Sequence, residues 1–404
     1  MPSVQADLDH AATTPPRPEV LEVLERWVGA GNASARHLPG QAARRAVEHA
    51  REQVAAVLGC SPHDVVFTSG GTEADNLVVK GVAWAAREHP SAGPAHVVTT
   101  AVEHAAVLEP ARWLAARGDV ELDVVAPMTD GRVAIEDVLA RVRDGSGGRP
   151  RTALVSVMGA NNELGSINDI PALGAALREI GVPLHVDAVQ CVATLDVSLD
   201  RWSADALAVS AHKVGGPQGV GVAVVRRGLA LEPTSHGGGQ DRGLRSGTFA
   251  VGLIAACGEA LERAVAERDV LRERLTVLSE RLAAGLAAID GVHRSGPEAP
   301  DARLASHVHV MVDGVDAEAL ALGLDSAGVA ASGGSACSSG AAAGSHVVAA
   351  CGLTGTPLRL SLGWTSTEEE VDHAVAVLGE LVPRLRDGGD VFSLRPADRA
   401  EVGH

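Results

Sequence analysis

The sequence has very few aromatic residues and very few lysines. Its 404 residues include three Phe, five Trp and no Tyr, and its apolar content comes mainly from alanine, valine and leucine. Lysine occurs only as Lys80 and Lys213, and arginine supplies the other basic side chains. Lysine can act as a neutral amine that condenses with a carbonyl group, whereas arginine cannot. A lysine in a chain of this composition is therefore a candidate for that chemistry.

An excess of positive charge and long apolar runs are also missing. The net charge is −17, which argues against binding to nucleic-acid phosphates or to an anionic membrane surface. No apolar run approaches the roughly 20 residues that a membrane span needs, and residues 1–10 lack the basic and apolar parts of a signal peptide. We therefore expect a soluble cytoplasmic protein without a direct nucleic-acid or membrane partner.

Cysteines are few, and their spacing indicates neither disulfides nor zinc. There are five, an odd number, and none forms a CxxC pair. We expect reduced thiols, as is usual in the cytoplasm. His307 and His309 share one face of a predicted strand, but no third ligand is evident, so no metal site is expected.

The order of apolar runs and helical stretches predicts an α/β fold. At this length two domains are expected: a large one at 16–262, and a smaller α/β one formed by 1–15 with 263–404, loosely ordered after about 388. Strands alternating with helices in the large domain favour a mainly parallel sheet. The predicted strands are 65–67, 96–98, 124–125, 153–157, 183–186, 206–209 and 220–225.

Polar residues follow five of these strands at the same end. Ligands of open α/β sheets bind beyond the carboxyl ends of the strands, so these residues are expected to share one site. They are Thr72, His104, Asn162, Asp187 and Lys213.

Two segments match the needs of a phosphorylated pyridine cofactor. Residues 68–75 join a strand to a helix, and Gly71 and Thr72 are suited to bind a phosphate at the helix N-terminus; the alternative is an ordinary helix cap. Asp187 ends a strand and can pair with a pyridine nitrogen, while Gln190 can reach the ring's phenolic oxygen. The alternative for Asp187 is a helix-capping role. Together with Lys213, these residues indicate pyridoxal 5'-phosphate.

Ten short segments occur in the order found in cysteine desulfurases, and on these motifs the chain resembles that family of pyridoxal-phosphate enzymes. The resemblance implies fold type I of the class V aminotransferases, with a mainly parallel seven-stranded sheet and a smaller C-terminal α/β domain. It covers nearly the whole chain up to about residue 388. The segments are 8–15, 31–37, 68–76, 103–104, 161–165, 186–190, 210–213, 245–248, 335–337 and 359–363.

The resemblance implies a role for each matching residue. Lys213 would carry the cofactor, and His104 would stack on its ring and manage protons at the substrate thiol. Arg359 would hold the substrate carboxylate beside Asn162, which also approaches the phenolic oxygen. Thr248 would reach the phosphate of a neighbouring subunit, so a homodimer is implied. The remaining implied phosphate ligands are Gly71, Thr72, Ser210 and His212.

Cys337 lies in a segment, 331–345, made solely of small residues. We expect such a segment to be mobile and exposed, so that its thiol reaches the site, takes sulfur and delivers it elsewhere. The alternative is an incidental surface cysteine. The other four cysteines adjoin apolar or helical sequence and are expected to be packing residues: Cys60, Cys191, Cys257 and Cys351.

The implied reaction converts L-cysteine to L-alanine and passes sulfur through a Cys337 persulfide to a protein acceptor. A selenocysteine or C–S lyase, or another class V aminotransferase, is the alternative, since these need Lys213 and Asp187 but not Cys337. A non-enzymatic scaffold is disfavoured by the retained cofactor residues. The acceptor is left open among iron–sulfur cluster assembly, tRNA thiolation, DNA sulfur modification and natural-product synthesis. The departures from the family pattern are Ala33, in place of proline; His10, which is near the expected site; and Gly71 and Gly334, in place of common alanine or serine variants.

Overall fold

The computed structural model of the chain describes residues 5–87, 93–148, 150–333 and 344–388. The strands in these ranges are β1 (Ala6–Asp7), β2 (Val65–Thr68), β3 (Ala95–Thr100), β4 (Val120–Val125), β5 (Thr152–Ser156), β6 (Leu184–Asp187), β7 (Ala206–Ser210), β8 (Gly221–Val225), β9 (Val292–Ser295), β10 (His307–Val312), β11 (Val329–Ala330) and β12 (Thr356–Ser361). The helices are α1 (Pro18–Trp27), α2 (Leu38–Leu58), α3 (Gly71–Ala85), α4 (Ala105–Ala116), α5 (Ile135–Leu139), α6 (Ile170–Glu179), α7 (Val251–Ala266), α8 (Arg268–Ala287), α9 (Ala317–Ser326), α10 (His346–Ala350) and α11 (Glu368–Arg386).

A seven-stranded sheet forms the centre of the molecule, in the order β2-β8-β7-β6-β5-β3-β4. Its strands are parallel except for β8, which runs antiparallel to both of its neighbours. Strands β2, β3, β6, β7 and β8 are buried along their whole length, as expected when helices cover both faces of a sheet. The predicted mainly parallel seven-stranded α/β fold is confirmed.

Successive residues of each strand point to opposite faces, and each face has its own apolar cluster. Val66 and Val97 pack with helices α3 and α4. Phe67 and Val98 point the other way and pack with α2, α6 and α7. This two-sided burial holds the carboxyl ends of the strands in fixed positions, where the candidate site forms.

A second core lies around the antiparallel sheet β9-β10-β12 and the helices α8, α9 and α11. It also contains Ala6 and Leu8, because β1 pairs with β11 and the Ser361 amide donates to the Leu8 carbonyl. The N-terminal segment is therefore packed with C-terminal elements, and the division into 16–262 and 1–15 with 263–404 stays a prediction. In the described part of the chain, no helix combines the length and apolar character of a membrane span.

Candidate active site

A cavity of about 210 Å³ lies at the carboxyl ends of the central strands. It is lined by Lys213 and by most of the other site residues that the sequence predicted. These other residues are Gly71, Thr72, His104, Asn162, Asp187, Gln190, Ser210, His212 and Arg359.

The N-terminus of α3 forms one wall of the cavity. The residue before the helix is Gly70, so no side chain caps the first turn. Gly71 begins the helix so close to the chain after β6 that an added Cβ would lie 2.7 Å from Val189 Cγ2. The free amides and positive end of the helix dipole at this wall suit an anion such as a phosphate.

Lys213 projects from the short turn after β7 towards the N-terminal segment. Its Nζ donates to the carbonyl oxygens of Ala11, at 2.5 Å, and Ala12, at 2.7 Å. Gln190 Nε2 donates to the same Ala11 carbonyl at 3.0 Å. The N-terminal segment thus fixes the direction of the amine at the cavity.

Asp187 is the last residue of β6, and its carboxyl is almost fully buried. One oxygen, Oδ1, accepts from the Val189 amide at 2.9 Å. Burial raises the pKa of Asp187, while His104, this amide and Lys213 oppose the rise. Such a carboxyl is suited to share a proton with a pyridine nitrogen.

His104 immediately precedes α4 and caps it, since its Nδ1 accepts from the Ala106 amide at 3.1 Å. Burial lowers the pKa of His104, with Lys213 acting in the same direction and Asp187 against it. The imidazole is therefore neutral at pH 7. Because Nδ1 accepts a hydrogen bond, the proton is assigned to Nε2.

Arg359 lies on β12 with a buried guanidinium held by two partners. Its Nη2 pairs with Asp9 Oδ1 at 2.7 Å, and its Nη1 donates to the Asn162 carbonyl at 2.9 Å. Nε is buried without a hydrogen-bond partner among the described residues. A fixed planar guanidinium with an N–H to spare can bind a carboxylate.

His212 and His10 are neutral histidines beside these groups. Burial, with Lys213, lowers the pKa of His212 to about 4, and its Nδ1 lies 3.1 Å from Thr13 Oγ1. His212 would thus contact a phosphate as a neutral hydrogen-bonding group. Burial lowers the pKa of His10, whose Nδ1 lies 2.6 Å from Thr14 Oγ1.

Two predicted site residues are not among the described residues that line this cavity. Thr248 is exposed and absent from the lining, and its predicted contact with a neighbouring subunit stays a prediction. Cys337 lies outside the described residues, so its predicted mobility and role also stay predictions. The other four cysteines are wholly or largely buried, and burial raises the pKa of each thiol: Cys60 and Cys257 to about 12, Cys351 to about 11, and Cys191 as well. These four are poor sources of a thiolate.

His307 and His309, the pair considered for a metal, are buried on β10. Burial lowers the pKa of His307 to about 3 and that of His309 to about 4. Among the residues that the structure describes, no group of three or more potential metal ligands occurs.

Sequence reasoning did not single out three contributors to the site. The Ala11 and Ala12 carbonyls hold Lys213, and the only signal for them was the matching 8–15 segment. Asp75 lines the cavity from α3, and in the sequence it is only the last residue of the segment 68–75.

The donor set in the cavity fits pyridoxal phosphate. An uncapped helix N-terminus with Ser210 faces the space at one end, Asp187 offers a carboxyl for the ring nitrogen, and Lys213 offers the amine. These are the three functions that the cofactor requires of a protein.

Comparison with known proteins gives the same family. Residues 7–374 match the model of the class V aminotransferases. The chain is 42% identical to an IscS-like cysteine desulfurase of Mycobacterium tuberculosis, an alignment that covers 94% of this chain and 97% of the relative. Its fold matches a solved NifS-like protein with a TM-score of 0.85 and 32% identity, covering 94% and 99% of the two chains. It also matches SspA solved in complex with cysteine, with a TM-score of 0.75 and 31% identity over 89% and 99% of the two chains. The chain belongs to the class V aminotransferase family.

Proposed function

We propose that this protein is a pyridoxal-phosphate-dependent cysteine desulfurase. It converts L-cysteine to L-alanine and keeps the sulfur as a persulfide on Cys337, from which an acceptor protein takes it. The observation that carries the proposal is the single cavity in which Lys213, Asp187, Arg359 and the N-terminus of α3 meet. The identity of the relatives supports the choice of cysteine as substrate.

The cofactor would be held at both ends by groups of this chain. Gly71, Thr72, Ser210 and His212 line the cavity and would bind the phosphate, and Asp187 would pair with the ring nitrogen. His104 would stack on the ring, while Gln190 and Asn162 would lie near the phenolic oxygen. When bound, pyridoxal phosphate supplies an electron sink for negative charge at the substrate α-carbon.

Arg359 orients the substrate through its carboxylate. Its guanidinium cannot rotate freely, because Asp9 and the Asn162 carbonyl hold it. Lys213 Nζ then removes the α-proton, and the Ala11 and Ala12 carbonyls direct this amine. His104, which carries its proton on Nε2, exchanges that proton with the substrate thiol group.

The sulfur-transfer step needs a thiolate, and burial raises the thiol pKa of Cys60, Cys191, Cys257 and Cys351, so these four do not provide one. The Cys337 thiolate attacks the substrate sulfur, so one S–S bond forms and the C–S bond breaks. The β-carbon takes the electron pair and a proton. The sum is L-cysteine plus the Cys337 thiol giving L-alanine plus the Cys337 persulfide, without any added oxidant.

We further propose a cytoplasmic homodimer whose partner subunits complete one another's sites through Thr248. The exposure of Thr248 outside the cavity of its own chain supports this arrangement. The acceptor is a protein, and iron–sulfur cluster assembly is one of the four routes that it can serve.

The experiment is to measure sulfide and alanine released from L-cysteine with added thiol by wild type, Lys213→Ala and Cys337→Ala. Equimolar products from wild type and loss in both variants are expected. Cys60→Ala, at a cysteine whose burial raises its pKa to about 12, serves as the matched control and should keep its activity.

Full activity in Cys337→Ala with loss in Lys213→Ala would contradict the persulfide step. That result would favour a selenocysteine or C–S lyase, or another class V activity, on the same cofactor site.

A further inference from the structure

Three carboxyl groups are buried close together at the cavity, and two of them, Asp75 and Asp187, line it. Asp75 on α3 is 1% exposed, Glu103 before α4 is 0% exposed, and Asp187 at the end of β6 is 6% exposed. The charge of Asp187 raises the pKa of both Asp75 and Glu103, in addition to the larger effect of burial. Three like charges cannot all persist in so dry a region, so protons must be shared among these groups.

Two buried polar atoms near this cluster have no hydrogen-bond partner in the described part of the chain, and their positions show where a proton can be placed. Among the described residues, Asp75 Oδ1 and His185 Nε2 are both buried without a hydrogen-bond partner. They lie 3.5 Å apart, at the limit of hydrogen-bond distance. The other nitrogen of His185, Nδ1, lies 2.9 Å from Ser156 Oγ on the neighbouring strand β5. A proton between Asp75 and His185 would satisfy both atoms.

The position of that proton follows from the surroundings. Burial lowers the pKa of His185 to about 3, and burial with the charges of Asp187 and Glu103 raises the pKa of Asp75 well above its usual range. No arginine or lysine contributes to the causes of either shift. The favoured form is therefore a neutral carboxylic acid beside a neutral imidazole.

We propose that Asp75 and His185 are a positioning pair: Asp75 is a neutral acid that donates its proton to His185 Nε2, which leaves Asp187 as the charged member of the three-carboxyl cluster. His185 stands two residues before Asp187 on β6, so both side chains lie on the same face of the sheet. The inference rests on the cofactor orientation proposed above, with the ring nitrogen at Asp187.

The pair matters because Asp187 is the competing acceptor. Asp75 and Asp187 line the same cavity. Without the lone pair of His185 Nε2, the carboxylic acid of Asp75 would donate its hydrogen bond to Asp187 instead. The Asp187 oxygen that accepts this bond would then no longer be available to the ring nitrogen. His185 thereby protects the cofactor contact without touching the cofactor.

The test measures the dissociation constant of pyridoxal phosphate and the visible absorption spectrum of the loaded protein, without L-cysteine. Asp75→Asn keeps a neutral N–H donor for His185, so its dissociation constant should stay within about twofold of wild type. His185→Leu removes the acceptor and should weaken cofactor binding by about tenfold or more, the usual effect of disturbing a hydrogen bond to a charged group, with a changed spectrum. His185→Gln retains a carbonyl acceptor and should recover most of the affinity.

His96→Leu is the matched control. His96 is equally buried on the same sheet, between Thr152 Oγ1 at 2.8 Å and Asp123 Oδ2 at 3.0 Å, but it does not line the cavity. It should lower thermal stability and leave the dissociation constant unchanged.

Tenfold weaker binding in Asp75→Asn would mean that Asp75 acts as a charge and would overturn the proposal. Wild-type affinity in His185→Leu would overturn it as well. If His185→Leu fails to fold, as judged by circular dichroism, Asp75→Asn decides the matter as above, and a folded His185→Gln that binds the cofactor tenfold more weakly than wild type would also overturn the proposal. Because no substrate is added, a protein that binds the cofactor as expected but releases no sulfide refutes the proposed function and not this inference.

Discussion

Burial has the largest effect on the pKa values, and so on the protonation states, of the titratable side chains around the cavity. Glu103 is an example, since its Oε1 accepts from Thr100 Oγ1 at 2.7 Å and from the Met158 amide at 2.9 Å. Oε2 is buried without a partner among the described residues. Burial, opposed by these two hydrogen bonds, raises the pKa of Glu103 to about 8. The group is therefore a neutral acid at pH 7 in the folded protein.

The raised pKa of Glu103 predicts a pH-dependent effect of Glu103→Gln on the free energy of unfolding. The carboxyl is ionised above about pH 4.5 in the unfolded chain but only above about pH 8 in the folded protein. Its contribution to stability is thus fully present below pH 4.5 and is lost as the pH rises through 8, by at most about 1.4 kcal/mol per pH unit.

Denaturant unfolding of wild type and Glu103→Gln at pH 5 and pH 8 checks this prediction. The variant should become more stable relative to wild type as the pH rises. Glu109→Gln, at an exposed position of α4, is the control and should show no such trend. A stability difference that is independent of pH would contradict the neutral form of Glu103.

At the scale of elements, the loop that carries Thr248 is tied to the sheet by one buried ion pair. Arg51 on α2 pairs with Asp241 at 2.7 Å and donates to the Val65 carbonyl at 2.6 Å, while Asp241 Oδ2 accepts from the Phe67 amide at 2.9 Å. Asp241 and Arg242 have φ angles of 45° and 62°, in the left-handed region that side chains usually avoid. These contacts therefore hold the loop in a conformation that it would not adopt alone.

We predict that Asp241→Asn lowers the free energy of unfolding by about 3 kcal/mol, because it removes the buried carboxylate and leaves the Arg51 charge with only the half-exposed Glu48 carboxylate at 3.2 Å. Asparagine tolerates a positive φ, so backbone strain does not confound the comparison. Asp372→Asn, which breaks the exposed pair with Arg281, is the control and should have far less effect. Equal losses in the two variants, measured by denaturant unfolding, would show that the Arg51 pair does not anchor the loop.

Strands and strand-end residues were predictable from sequence, whereas contacts between distant segments were not. The seven apolar runs of the large domain correspond to β2–β8. The residues after them meet in one cavity because parallel strands end at the same edge. The Asp75–His185 pair joins positions 110 residues apart, and the Arg51–Asp241 pair joins positions 190 residues apart. No periodicity indicates such pairs, since they depend on how α3 and α2 pack against the sheet.

On the scale of the whole molecule, the two cores place the site between them. The central sheet of the large core carries Asp187 at the end of β6 and Lys213 after β7, while β12 of the second core carries Arg359. The proposed homodimer adds Thr248 from a second subunit. The complete site would then draw on both domains of one chain and on one loop of another.

The shared site predicts that Thr248→Ala weakens pyridoxal-phosphate binding by about tenfold, through loss of a hydrogen bond to a charged phosphate. Thr276→Ala, at another exposed threonine on α8, should leave binding unchanged. Affinity is measured by cofactor titration, and the oligomeric state by sedimentation. A dimeric Thr248→Ala variant with wild-type affinity would contradict the contact across subunits.

The persulfide on Cys337 is tested most directly by mass spectrometry. The mass of each cysteine-containing peptide is measured after the enzyme with bound pyridoxal phosphate has reacted with L-cysteine in the absence of an acceptor. One added sulfur atom is expected on Cys337, in step with alanine formation, and none on Cys60, Cys191, Cys257 or Cys351. Alanine formation with the added sulfur on another cysteine, or with no added sulfur on Cys337, would contradict this expectation.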